Sequence, residues 1–248
     1  MSAMPAFSFG FNLHELAFPL LANLVLALYA WRRQLVSRSG FIGGALLGSW
    51  ILILGGGGAY LLLCAFFGLG TAATHLGYRR KAERGLAQEE EGRRGARHVL
   101  ANCGVALLLV LLFPSRFSIA LGAAYVAAFA TATADTLGSE IGQLWGRRTF
   151  DPLRMRPVAS GSEGAISLEG TLAGALGAGI LALLGAILQF YPYSMLWIPL
   201  LAGVLGSGLE SLLGSSQSIR GRLDNEALNF LNTVVGAILA WTAIQILL

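Results

Sequence analysis

The sequence predicts an all-α protein: a polytopic integral membrane bundle of about eight transmembrane helices with glycine-rich packing. Three observations predict it. Of the 248 residues, 55% are apolar and only 12% are charged, against roughly a quarter charged in soluble domains. Mean hydropathy is +0.67. The apolar residues run in long unbroken blocks, whereas a membrane barrel needs alternating strands of about ten residues. A soluble globular enzyme, a disordered chain and a disulfide scaffold are thereby excluded. Cys64 and Cys103 lie in apolar runs without redox or zinc spacing and read as small membrane-buried residues. Lys81 is the single lysine and no Walker-type Gly-rich phosphate loop accompanies it.

A spanning helix takes about 20 mostly apolar residues. The first such segment, 14–31, ends at Trp31 and runs into Arg32, Arg33 and Arg38. Segments 40–54 and 58–77 are short and meet at Gly55-Gly56-Gly57-Gly58, so they form either two spans or a broken, re-entrant pair. A loop over 78–97 follows, rich in both signs, with Glu83, Glu89, Glu90 and Glu91 among seven basic residues. It reads as a solvated helix or hairpin whose basic end can touch anionic head groups. Segment 98–113 comes next, then 117–145. The loop 146–164 carries Arg147, Arg148, Arg154 and Arg156. Segments 165–190 and 194–214 precede Arg220 and Arg222, and 225–247 closes the chain. The whole of 1–248 reads as one membrane-embedded domain, and no cleavable signal or transit peptide is expected at its start.

This division sorts the charges. Sixteen of the 17 Lys and Arg residues fall in alternate loops, and Arg116 alone falls on the other side. The positive-inside rule then places those loops in the cytoplasm and both termini outside. Gly138, Gly142 and Gly146, and likewise Gly170 and Gly174, repeat at every fourth position, a spacing that lets helices approach closely. Trp31, Trp145 and Trp197 stand near span ends as interface anchors. His14, His75 and His98 are far apart and read as structural.

Ionisable residues inside a span cost about 2.5–3.5 kcal/mol each and persist where they meet a polar cavity or a partner. Here they are Asp135, Glu140, Glu169, Glu210 and Glu226, with Glu163 and Asp224 just outside, and no basic residue shares a span with them. They gather toward the basic loops. A transport relay would spread acids over both halves of the membrane; an enzyme joining a cytosolic nucleotide to a membrane lipid would place them here. Thr131, Asp135 and Ser139 share one helix face, and Asn225, Asn229 and Asn232 form a second polar stripe. Carboxylates and amides beside arginines suit a magnesium–triphosphate ligand. The competing readings are hydrogen-bonding contacts between helices for Asp135 and Glu169 and helix capping for Asp224 and Glu226.

Two blocks are specific. They are Asp135-Thr136-Leu137-Gly138-Ser139-Glu140-Ile141-Gly142 and Gly161-Ser162-Glu163-Gly164-Ala165-Ile166-Ser167-Leu168-Glu169-Gly170-Thr171. Supporting blocks are Gly77-Tyr78-Arg79-Arg80-Lys81, Arg97-His98-Val99-Leu100-Ala101-Asn102, Glu210-Ser211-Leu212-Leu213-Gly214 and Asn225-Glu226-Ala227-Leu228-Asn229. Together they resemble the integral-membrane family of phytyl-phosphate kinase, the plant and cyanobacterial enzyme of the vitamin E (tocopherol) pathway, and of animal transmembrane protein 19. The resemblance runs over roughly residues 38–240 and is closest to the plant type, with Glu163 where other branches often have Asn. One position departs: the family usually has Asp where Glu210 stands.

The resemblance implies a kinase that converts a phytyl or geranylgeranyl phosphate to the prenyl diphosphate, with CTP as the expected donor. It implies Mg²⁺ held by Asp135, Glu140 and Glu169, with Arg147 and Arg148 acting on the transferring phosphoryl group. It further implies substrate or nucleotide contacts from Lys81, Asn102, Ser139, Arg156, Glu163, Thr171, Glu210, Asn225 and Asn229. The expected partners are a prenyl phosphate lipid, a nucleoside triphosphate and membrane lipids, without nucleic acid, and a homodimer is admissible. The expected location is a bacterial or cyanobacterial inner membrane. Two other classes stand beside the kinase: a transporter or scramblase of a phosphorylated lipid, and a cytidylyltransferase that makes a CDP-lipid.

Overall fold

The structure is a computed structural model that describes residues 13–87, 92–114, 117–220 and 222–248. Glu89, Glu90, Glu91 and Arg116 lie outside the described residues, as do the side chains of His14 and Arg220. The helices are α1 (Leu13–Arg32), α2 (Arg38–His75), α3 (Tyr78–Glu83), α4 (Ala96–Leu112), α5 (Ile119–Trp145), α6 (Leu168–Ile187), α7 (Trp197–Gly214), α8 (Gln217–Arg220) and α9 (Asn225–Leu247). By length and composition α2, α5, α6, the segment Tyr193–Gly214 and α9 can each cross a membrane, and α1 and α4 are shorter apolar helices.

The 38 residues of α2 do not run straight. Gly56 adopts φ 78 and ψ −178 inside it, a conformation open in practice to glycine alone. The chain doubles back there. Gly40 lies against the Arg94 carbonyl and Gly70 against the Arg94 guanidinium, although a straight helix would set them about 45 Å apart at 1.5 Å per residue. Asn23 of α1 ties both arms together. Its amide nitrogen donates to the Ala45 carbonyl at 2.9 Å and to Ser49 Oγ at 3.0 Å, and its oxygen accepts from the Tyr60 hydroxyl at 2.9 Å. Two arms of α2 with α1, α4, α5, α6, α7 and α9 make eight apolar helical segments among the described residues, and the glycine run marks the turn between the two arms.

The core is built around α5. From Ala120 to Thr136 this helix is buried nearly all round, as expected of a helix apolar on every face. Its alanines and glycines admit the neighbours closely. A Cβ at Gly174 would stand 2.6 Å from the Ala134 carbonyl oxygen, and one at Gly203 would stand 2.9 Å from Ala130 Cβ. The two glycine repeats face each other, since a Cβ on Gly170 would stand 2.5 Å from the Gly138 carbonyl. Gly174→Leu is therefore expected to force α6 off α5 at a cost of about 1–3 kcal/mol, read as a lower melting temperature in detergent.

The arginine-rich loops collect at one end. Ser37 and Arg94 pair through Ser37 N–H to Arg94 O at 3.2 Å. Lys81 of α3 reaches Glu140 of α5. Arg154 donates to the Ser215 carbonyl at 2.8 Å, and Arg97 pairs with Asp224 at 2.5 Å. The loop after α5 is folded, which the all-α expectation did not include. Its strands β1 (Thr149–Asp151), β2 (Arg156–Pro157) and β3 (Ile166–Ser167) form an antiparallel sheet ordered β2-β1-β3, with Phe150 opposite Pro157 and Ile166. Asp151 closes the β1–β2 turn by accepting from the Leu153 and Arg154 amides at 3.0 Å each.

Asp224 caps α9, accepting from the Ala227 amide at 2.9 Å. That bond, with Arg97, holds its carboxyl below the ordinary aspartate range. A depressed folded-state pKa means that the cap stabilises above the unfolded value of about 3.9 and is lost as pH falls through the lower folded value. The protection of the Ala227 amide relative to its intrinsic exchange rate is expected to fall as Asp224 protonates below about pH 4 in the wild type, and to be reduced at every pH in Asp224→Ala.

Candidate functional site

A cleft of about 510 Å³ opens between α5, α6 and α7 under the small sheet. Asp135 and Ser139 reach it from α5, Thr171 from α6, and Ser207 and Ser211 from α7. Ser167 and Gly170 bring in the first turn of α6, whose N-cap Ser167 accepts from the Gly170 amide at 3.1 Å. A helix start carries partial positive charge and free amides, which suits an anion. Beside Ser207 and Ser211, α7 also brings Val204, Leu205, Leu209 and Leu212 to the cleft. Leu205 and Leu212 are also exposed on the outer surface of the bundle, so the cleft borders the face that lipid would cover.

The Asp135 and Glu210 carboxyls lie in side-chain hydrogen-bonding contact, with Glu163 close enough to Glu210 to act on it electrostatically. Among the described residues no Lys or Arg pairs with Asp135 or Glu210. Two carboxyls meeting inside a bundle without a cation need a proton between them or a metal ion. No set of three His, Cys, Asp or Glu side chains is assembled for a metal among the described residues. Two carboxylates with phosphate oxygens and water are nevertheless the donor set that Mg²⁺ takes, so the pair fits that ion.

The other expected acids lie elsewhere. Glu140 follows Asp135 by five residues, about 140° round the helix at about 100° per residue. It faces α3, where it pairs with Lys81, and the two residues are 2% and 1% exposed. Lys81 also donates to the Ala73 and Thr74 carbonyls at 3.3 and 2.8 Å. All three of its protons are thus engaged within the protein. Glu169 points away from the Thr171 face of α6 and accepts from the Arg147 amide at 3.4 Å. Asp135, Glu140 and Glu169 therefore do not form one metal cluster, and Glu210 is the carboxyl that meets Asp135.

Arg147, Arg148, Arg156 and Glu163 are exposed at the basic end, and Arg154 is held by Asp151 and Ser215. Of the asparagine stripe, Asn225 is exposed while Asn229 and Asn232 are buried. Asn102 is buried on α4, donating to the His98 carbonyl at 3.0 Å, away from the cleft. Arg94, by contrast, was not singled out by the sequence. Arg94 enters the bundle just before α4 and is 4% exposed. Burial lowers its pKa to about 10, which leaves it charged at neutral pH. No local pattern separates Arg94 from the exposed arginines of its loop. Only the docking of that loop against α2 buries it.

Residues 21–237 match the family described as integral membrane protein DUF92. An uncharacterized membrane protein of Synechocystis is 34% identical over 236 residues, covering 91% of this chain and 92% of that protein. The chloroplastic protein VTE6 of Arabidopsis thaliana is 35% identical over 213 residues, 83% of this chain and 64% of its own length. An uncharacterized membrane protein of Methanocaldococcus jannaschii is 32% identical over 215 residues, 87% of this chain and 88% of that protein. No solved structure matches.

Proposed function

The chain belongs to the DUF92 family of integral membrane proteins, and from that membership and the carboxyl-lined cleft we propose that it is a prenyl-phosphate kinase. The substrate is a phytyl or geranylgeranyl monophosphate in the membrane, and the donor is a nucleoside triphosphate, CTP first. One observation carries the reading: Asp135, whose carboxyl meets that of Glu210, lines a cleft to which α7 also brings valine and leucine side chains. Such a cleft suits a ligand with a phosphate head and a hydrocarbon tail. The motif resemblance to phytyl-phosphate kinase around Asp135 and Glu163 supports the same chemistry.

The prenyl chain lies along Val204, Leu205 and Leu209 and enters between α6 and α7 from the bilayer. A phosphate oxygen of the acceptor attacks the γ-phosphorus of CTP. The bond from that phosphorus to the β–γ bridging oxygen breaks, CDP leaves, and the prenyl diphosphate remains. The acceptor is already ionised near neutral pH, its second pKa being about 6, so no general base is needed. Asp135 and Glu210 would hold Mg²⁺, which supplies charge neutralisation on the nucleotide phosphates. Ser139 and Thr171 donate to phosphate oxygens, and the first turn of α6 faces the same charge. Arg147, Arg148 and Arg156 attract both anions to the mouth of the cleft. The basic end is cytoplasmic by the positive-inside rule, in a bacterial or cyanobacterial inner membrane, where CTP is available.

Purified protein in detergent, given phytyl or geranylgeranyl phosphate, Mg²⁺ and CTP, is expected to yield the prenyl diphosphate and CDP by mass. A CDP-lipid with pyrophosphate would replace the kinase by a cytidylyltransferase. Lipid flux in liposomes without nucleotide consumption would replace it by a transporter.

A further inference from the structure

A second cavity, of about 300 Å³, lies between α1, the two arms of α2 and α4. It shares no lining residue with the cleft. Its size stands at the lower end of small-ligand pockets, roughly 300–1,000 Å³. Leu26, Ala27, Leu47, Leu63 and Phe67 line it. Asn23 and Tyr60 border it too, but they are hydrogen-bonded to each other. Arg94 and His98 are also among its lining residues.

Arg94 is the unusual member. Among the described residues its Nε, Nη1 and Nη2 are buried without a hydrogen-bond partner, and so is His98 Nε2. The guanidinium lies over the Phe66 ring at 5.7 Å and against Gly70. Its backbone is fixed by pairing with Leu35 and Ser37, so the side chain is held inside the bundle. Glu140, an acid close enough to act on it, is already engaged by Lys81. A buried unpaired charge costs several kcal/mol, and an anion with acceptor oxygens would remove that cost.

We infer that this cavity is a second ligand site, which holds a single-chain amphiphile by an anionic head group, with the head on Arg94 and His98 and the chain between α1 and α2. The apolar walls select an amphiphile over a free anion. Room for the chain is visible at Gly44, where a Cβ would meet nothing within 4 Å although the residue lines the cavity. The site is independent of the phosphoryl-transfer reading, because it uses none of the cleft residues.

The test is photolabelling of purified protein in neutral detergent with a dodecyl phosphate that carries a diazirine on its chain, followed by peptide mass mapping. Label is expected in α1 and α2. Unlabelled dodecyl phosphate should compete for it, and neither dodecanol nor inorganic phosphate at the same concentration should. Arg94→Gln removes the charge, and Gly44→Leu fills the cavity while leaving Arg94 in place. Each is expected to reduce labelling of α1 and α2 about tenfold or more, the scale of one lost charge-assisted hydrogen bond. If Arg94→Gln does not fold, Gly44→Leu decides. Label confined to α6 and α7 overturns the inference, as does labelling unchanged in the folded variants. Equal competition by dodecanol would remove the anionic head from it, and equal competition by inorganic phosphate would remove the chain; either result overturns it.

Discussion

Asp135→Asn is expected to lower the turnover of prenyl phosphate by about 10²–10³-fold, the range seen when one preorganised electrostatic contact is removed from a phosphoryl- or acyl-transfer site. The variant should still insert and fold. Asparagine matches the shape of aspartate and keeps a hydrogen bond to Glu210, which already meets Asp135 side chain to side chain. What it removes is one of two negative charges facing the nucleotide phosphates. Glu210→Gln is expected to act in the same direction. Glu210→Asp should retain part of the activity, since the charge stays and one methylene is lost. Turnover of prenyl phosphate with labelled nucleotide, beside a melting curve, separates lost chemistry from lost fold. An active, well-folded Asp135→Asn protein would remove the cleft from the mechanism.

The second large effect is on stability. Lys81 and Glu140 form an ion pair that is almost wholly inaccessible to water. Removing one member leaves the other charged and buried, at about 3–5 kcal/mol. Lys81→Met and Glu140→Leu are each expected to destabilise on that scale, read as a marked loss of melting temperature and of monodisperse protein. The double variant Lys81→Met/Glu140→Leu should recover most of the loss, because a neutral apolar pair carries no desolvation cost. If both residues worked on substrate instead, the double variant would fold no better than the singles. The outcome also distinguishes Glu140 from Asp135, which the same motif places five residues apart.

Much of the fold was legible because a membrane leaves few choices. Apolar runs of span length, divided by arginine-rich loops, mark out the apolar helices of the bundle. The glycines at 55–58 mark where α2 turns back, since Gly56 takes a backbone conformation that other residues avoid. The close approach of α5 and α6 was legible from Gly138, Gly142, Gly170 and Gly174.

The candidate site was legible in part. Asp135, Ser139 and Thr171 do line one cleft. The structure does not bring Glu140 and Glu169 to Asp135, and helix angles alone set Asp135 and Glu140 on different faces. The partner of Glu140 was out of reach for a different reason. Lys81 lies on a six-residue helix whose docking is decided by tertiary contacts, not by its own pattern. Arg94 was hidden likewise, as one of seven basic residues in a loop that reads as solvated. Burial of a long charged side chain depends on what the loop meets, and sequence periodicity carries no record of that.

The most direct test of phosphoryl transfer is the fate of a labelled nucleotide. Purified protein is given phytyl phosphate, Mg²⁺ and CTP labelled either at the γ- or at the α-phosphorus. The γ-label is expected in the lipid, as the outer phosphorus of the diphosphate, and the α-label in CDP. Label from the α-position in the lipid, with release of pyrophosphate, would contradict the kinase. So would the absence of turnover with CTP, UTP, GTP and ATP alike from demonstrably folded protein.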